Sequence, residues 1–194
     1  MPSLDVITAV APVRAALEGL GVRYYVGGSL ASSLYGLSRS TMDADLVAEL
    51  APEHVRPLAE ALRPAYYVSE PAMAEAIARK SCFNVIHLAT SFKVDVFVPK
   101  DREYDREAMS RRRADSLDPH HPEQKLFFAS PEDVVLAKLE WFRLGGGVSD
   151  RQWRDVVEVL RVQGGALDEE YLDRWAPGLG VAELLHKARQ DARA

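Results

Sequence analysis

The chain has 194 residues, of which 47% are hydrophobic and 27% charged, and a formal net charge of -5. That length supports one domain with a full core, or one domain with a helical appendage, and the negative balance supplies no global positive field for nucleic acid. Cys82 is the only cysteine, which excludes an internal disulfide and a cysteine-based metal site. There is no basic-then-apolar start and no apolar run long enough for a bilayer, so the expectation is a soluble, cytoplasmic protein with no membrane partner.

Residues 3–20 predict a helix, with Val6, Ile7, Val10, Val13 and Leu17 near helical spacing. Pro12 either kinks it or opens a second helix, and Gly19 and Gly21 end it. Residues 22–26 read as a strand running into Gly27 and Gly28, and Ser29 is placed as the N-cap of a short helix over 29–35. A strand, a turn without side chains and a helix N-terminus together aim backbone N–H groups at an anion. A loop over 36–42 carries Arg39 and leads into a strand over 43–50. Alternation puts Asp43, Asp45, Val47 and Glu49 on one face of that strand and Ala44, Leu46, Ala48 and Leu50 on the other.

Residues 52–62, opened by a proline, predict a helix, 65–68 a short strand and 71–79 another helix. Residues 83–89 and 92–98 form a hairpin-like pair around Thr90 and Ser91. In its second member Lys93, Asp95 and Phe97 share a face, and a mid-strand carboxylate is uncommon unless that face is wet or the group has a partner. The segment 100–122 is charged. Its Arg111, Arg112 and Arg113, with acidic neighbours at Asp105, Glu107 and Asp115, read as a solvated stretch. His120 and His121 have no further ligands nearby and predict no zinc site. From residue 131 the chain reads as helices over 131–144, 149–163, 168–175 and 181–192, with Ser149 as an N-cap. The organisation expected is an α/β core over 1–129 followed by a helical region over 130–194.

Two-metal phosphoryl chemistry needs carboxylates that hold cations about 3.5–4 Å apart. Asp43 and Asp45 supply two, and Asp95 supplies a third if its strand neighbours theirs, because adjacent strands lie about 4.8 Å apart. Gly-Gly-Ser alone marks many turns, and Asp-x-Asp alone marks many solvated strand faces. The order strand, Gly-Gly-Ser, helix, Asp-x-Asp strand and later Val-Asp-Val is what singles this chain out.

That ordered pattern, Gly28-Ser29, Asp43-Ala44-Asp45 and Asp95 within Lys93-Val94-Asp95-Val96-Phe97, resembles the nucleotidyltransferase superfamily typified by DNA polymerase β. Within it, the chain is similar to small bacterial proteins of the minimal-nucleotidyltransferase and abortive-infection-toxin type. The resemblance covers 22–98 and, more loosely, 131–162. It implies an α+β fold, a mixed β-sheet flanked by helices with a C-terminal helical tail. It also implies that Gly27, Gly28 and Ser29 hold the phosphates of a nucleoside triphosphate, and that Asp43, Asp45 and Asp95 bind Mg2+ or Mn2+. Asp95 would in addition help to deprotonate an acceptor hydroxyl. NMP would pass to that hydroxyl, on tRNA, a protein or a small molecule, with release of pyrophosphate. The same resemblance leaves room for an antitoxin partner, and for a non-catalytic nucleotide- or partner-binding module of the same fold.

Lys138 lies on the apolar stripe of its helix between Val134 and Phe142, so it must snorkel or meet an anion. It either reaches the triphosphate or an active-site carboxylate, or forms a structural ion pair where the tail meets the core. Arg39 either contacts phosphate or acceptor or is solvated, the commoner state of a loop arginine. Asp155 is placed on a wet helix face, Cys82 as a small buried hydrophobe, and Trp141, Trp153 and Trp175 as core packing.

Overall fold

Alternation governs the sheet. In β2 (Asp43–Ala48) Ala44, Leu46 and Ala48 are buried while Asp43, Asp45 and Val47 turn to the opposite face. β5 (Lys93–Phe97) repeats the pattern, with Val94 and Val96 buried and Lys93, Asp95 and Phe97 facing the other way. The computed structural model describes residues 4–37, 41, 43–116 and 125–194. Arg39, His120 and His121 lie outside the described residues.

The other strands are β1 (Tyr24–Val26), β3 (Tyr66–Tyr67), β4 (Cys82–His87), β6 (Arg113–Ser116) and β7 (Lys125–Phe128). Together they make one mixed sheet in the order β3-β4-β5-β2-β1-β7-β6. β2 and β5 run parallel, as do β1 and β7; the remaining pairs are antiparallel. The hairpin expected around Thr90 and Ser91 is the β4–β5 pair, and Ser91 takes the left-handed backbone that the tight turn requires (φ 58°).

α1 (Leu4–Gly19) runs through Pro12 as a single helix and covers the apolar face beside β2 and β5. α3 (Val55–Leu62) and α4 (Glu70–Arg79) complete that layer. The helix expected over 52–62 begins with a 3-10 turn at Pro52–His54 and becomes α-helical only from Val55. On the carboxylate face sit α2 (Gly28–Tyr35), α6 (Pro131–Leu144) and α7 (Asp150–Gln163), which pack on one another. α8 (Glu169–Trp175) packs on α6, and α9 (Ala182–Arg193) on α7. No helix among the described residues is long and apolar enough to cross a membrane.

The charged segment after residue 100 departs from expectation. It contains α5 (Glu103–Ser110) and β6, and Arg111 and Arg112 are held against the fold rather than solvated, while Arg113 is exposed as expected. The Arg111 guanidinium lies 3.8 Å from the centre of the Tyr171 ring and donates to Glu132 Oε2 at 3.0 Å; Arg112 lies over Phe127. Glu132, 1% exposed, also accepts the Asp168 N–H at 3.0 Å. Its neighbour Asp133 accepts the Tyr171 hydroxyl at 2.7 Å and the Ser130 hydroxyl at 2.7 Å. Burial lifts the Asp133 carboxyl above its ordinary range. Burial alone would lift Glu132 too, but the hydrogen bonds of Asp168 N–H, Ser130 and Arg111 hold it below.

Two further expectations are corrected. Cys82 is exposed at the start of β4 rather than buried, because it occupies the sheet face that also carries Asp95. Trp141 is 53% exposed and rests edge-on against Phe97, with ring centres 5.8 Å apart. Its place one turn from the end of α6 leaves little helix above it. Trp153 and Trp175 do pack inward, against Phe142 and against Tyr104 and Tyr171.

Arg111→Ala removes the nearer cation of the buried Glu132 and leaves only the more distant, exposed Arg113 at 3.8 Å. The expected loss is roughly 2–3 kcal/mol of unfolding free energy, measured by urea denaturation, since weakening the pairing of a buried charge costs more than the pair contributes.

Candidate active site

The site begins where β1 stops. The Gly27 N–H donates to the Asp45 carbonyl at 2.8 Å, carrying the β1–β2 pairing one residue past the strand. Gly28 then adopts a left-handed φ of 53° and opens α2, with Gly27 rather than Ser29 at the N-cap. Ser29 therefore lies in the first turn, two places deeper than the N-cap position expected for it. The early turn is possible because Gly28 has no side chain. A Cβ there would fall 1.7 Å from Asp45 Oδ2, so the carboxylate is pressed against the glycine backbone. At Gly27 the nearest atom to such a Cβ is 3.9 Å away. The two glycines thus do different work: Gly27 extends the pairing, and Gly28 makes room for a carboxylate.

The parallel register of β2 and β5 sets Asp45 beside Asp95 and Asp43 beside Lys93. All four side chains lie on one face, and on β4 the exposed Asn84 stands next to Asp95. Thr41 donates its hydroxyl to Asp43 Oδ1 at 2.8 Å, and Lys93 Nζ lies 2.6 Å from Asp95 Oδ2. Asp45 titrates at about 6, lifted first by burial and then by the charges of Asp43 and Asp95; Lys138 and Lys93 partly offset the rise.

Lys138 donates to Asp155 Oδ2 at 2.8 Å, and both side chains are only 10% exposed. The pair joins α6 to α7 within the helical region, and the Lys138 charge still reaches Asp45. Asp155 is therefore not on a wet face. α7 packs against α2, α6 and α9, so more than its apolar stripe is covered. Glu49, expected to add charge beside Asp45, lies past the end of β2 and pairs with Arg23 at 2.6 Å.

Sequence reasoning missed Lys93, Asn84 and Thr41 as participants. For Lys93 the signal was present, since residues two apart on a strand share a face. For Asn84 it was not, because cross-strand register is invisible without the hairpin geometry.

The donor set is chemically suited to a hard divalent cation: three carboxylates on one face, one of them driven up by burial and then by its like-charged neighbours. Among the described residues no three acidic, histidine or cysteine side chains converge as a finished ligand shell. Asp43 is turned to Thr41 and Asp95 to Lys93.

No protein-family model matches the sequence, and a comparison with curated protein sequences yields no match. Solved structures do resemble the fold. An antigenic nucleotidyltransferase-like protein from Paracoccidioides brasiliensis superposes with a TM-score of 0.54 at 15% identity, over 97% of this chain and 94% of that one. The antibiotic-resistance factor ANT(2'')-Ia in complex with adenylyl-2''-tobramycin gives 0.58 at 12% identity, over 90% of this chain and 97% of that one. Its solution structure gives 0.53 at 12% identity, over 94% and 97%. The chain has the nucleotidyltransferase-like fold.

Gly28→Ala is expected to lose roughly 2 kcal/mol or more of stability, from the left-handed backbone and the collision with Asp45. Gly27→Ala, whose Cβ would make only an ordinary contact with the Tyr25 ring at 3.9 Å, stays within about 1 kcal/mol of wild type. Urea unfolding of the two variants side by side measures the difference.

Proposed function

We propose that this chain is a divalent-metal-dependent nucleotidyltransferase that moves NMP from a nucleoside triphosphate to an acceptor hydroxyl, with release of pyrophosphate. The observation that carries the proposal is the in-register pairing of Asp45 with Asp95, with Asp43 on the same face and Asp45 pressed against Gly28. Mg2+, or Mn2+ in its place, bound at these carboxylates would neutralise charge between them and the triphosphate and polarise the reacting phosphorus.

The chain's own residues divide the remaining work. Gly28 and Ser29, in the first turn of α2, present the helix N-terminus to the β- and γ-phosphates. Asp43 and Asp45, anchored by Thr41 and by the Gly28 backbone, keep two carboxylates fixed on the sheet. Asp95 takes the proton from the acceptor hydroxyl. The hydroxyl oxygen forms its bond to the α-phosphorus, and the bond from that phosphorus to the bridging oxygen breaks, its electron pair leaving with pyrophosphate. Lys138, held by Asp155, places a fixed positive charge near Asp45 and lowers the electrostatic cost of keeping that carboxylate ionised.

A small polyhydroxylated molecule is the acceptor class we place first, ahead of tRNA or a protein side chain. Beside Asp95, on β4, stand the exposed and uncharged Asn84 and Cys82. A nucleic acid needs basic groups free to meet its phosphates. The adenylylated aminoglycoside bound by ANT(2'')-Ia is a product of the same acceptor class.

The test incubates the protein with each labelled NTP, Mg2+ and either a small-molecule panel or cell extract. Wild type is expected to yield a labelled product that EDTA abolishes. Asp43→Asn and Asp95→Asn are expected to lower labelling by roughly 10²-fold or more, the scale of losing one group that stabilises transition-state charge. Equal labelling by wild type and both variants rejects the proposal.

A further inference from the structure

We infer that Lys93 is the resident counter-cation of the carboxylate face, and that a divalent ion entering the site displaces it from Asp95. The inference rests on the reading of Asp43, Asp45 and Asp95 as a cation site. One ammonium group serves all three carboxylates. Lys93 Nζ is 2.6 Å from Asp95 Oδ2, the strand register sets Lys93 beside Asp43, and its charge acts on Asp45.

The other lysine whose charge reaches this face cannot take that part. Lys138 is held by Asp155 in a pair that is nearly closed to solvent on both sides. Lys93 is differently placed. Its side chain is 44% exposed, against 15% for Asp95, so the ammonium can leave for water along an open path while the carboxylate stays where the sheet puts it. An ion pair with one solvated partner is weak and exchangeable. A divalent ion brings twice the charge and accepts several carboxylate oxygens at once, which a single ammonium cannot match.

The arrangement solves a folding difficulty. Three carboxylates on neighbouring strand positions repel one another when no cation is present. Lys93 offsets that repulsion from inside the chain before metal arrives. The same ammonium then competes with the metal for Asp95 and sets the concentration at which the site fills.

The experiment uses Mn2+ alone as the probe, without nucleotide, on the full chain. Binding is followed by calorimetry and by the electron paramagnetic resonance signal of free Mn2+, for wild type, Lys93→Met, Lys93→Gln, Lys93→Arg and Asp95→Asn. Lys93→Met and Lys93→Gln are expected to bind roughly three- to tenfold more tightly than wild type, as removal of a like charge at the site implies. Lys93→Arg keeps the counter-charge and stays close to wild type, and Asp95→Asn binds most weakly. In thermal unfolding, metal-free Lys93→Met melts below wild type and gains more on adding Mn2+. If Lys93→Met fails to fold, Lys93→Gln, which keeps a polar side chain of similar reach, carries the comparison. Equal or weaker binding by the neutral variants overturns this inference alone. Absence of Mn2+ binding in every protein overturns the reading of the cation site, and this inference with it.

Discussion

Parallel pairing of β2 with β5 sets like charges side by side, and much of the surrounding structure answers that constraint. Asp45 and Asp95 are register partners, and Asp43 lies one strand repeat away on the same face. Such a row is unfavourable in a half-buried setting, as the rise of Asp45 to about 6 records. The opposite face of both strands is apolar and buried against α1, so the sheet cannot relieve the crowding by slipping one residue. A slip would turn Ala44, Leu46, Val94 and Val96 outward and the carboxylates into the core. The core therefore enforces what the charges oppose.

Two glycines and one helix complete the enclosure. Because Gly28 lacks a Cβ, α2 begins against the Asp45 carboxylate rather than a residue further on. The helix N-terminus and the acidic row are thereby brought into contact, an arrangement with opposite electrostatic signs facing each other. In the proposed reaction the phosphates would face the helix and the cation the carboxylates. Neither half is useful alone: a short helix start is a weak anion site, and a bare acidic row is only a strained strand.

Much of this was legible in the residues. Strict alternation in 43–48 and 93–97 gave both faces of both strands, and the glycine pair marked the turn. The helices after residue 131 were clear because Gly and Pro punctuate a strong 3.6-residue pattern. What was not legible depended on burial of charge. The run Arg111-Arg112-Arg113 looks solvated by composition, yet Arg111 stacks on Tyr171 and neutralises the buried Glu132, residues 60 and 21 positions away. Asp155 was misplaced for the same reason: its partner Lys138 is on another helix. The sequence shows which residues are charged, but only tertiary contact shows which charges are paired. The start of α2 was misplaced by one residue because serine is the usual N-cap, whereas here the chain turns at a left-handed glycine.

The two lysines nearest the carboxylates show how one charge can be used in two ways. Lys138 emerges from the apolar stripe of α6 and is secured by Asp155, so its charge is a permanent part of the site's field, tied to the packing of α6 on α7. Lys93 emerges from the strand that carries Asp95, with its ammonium end toward water. The first contribution changes only if the helical region shifts on the sheet, while the second can change with every ligand that enters. The fixed charge offsets part of the rise at Asp45, and the movable one balances charge at Asp95. A site built only from fixed charges would leave no vacancy for metal, and one built only from carboxylates would press against the register that positions them.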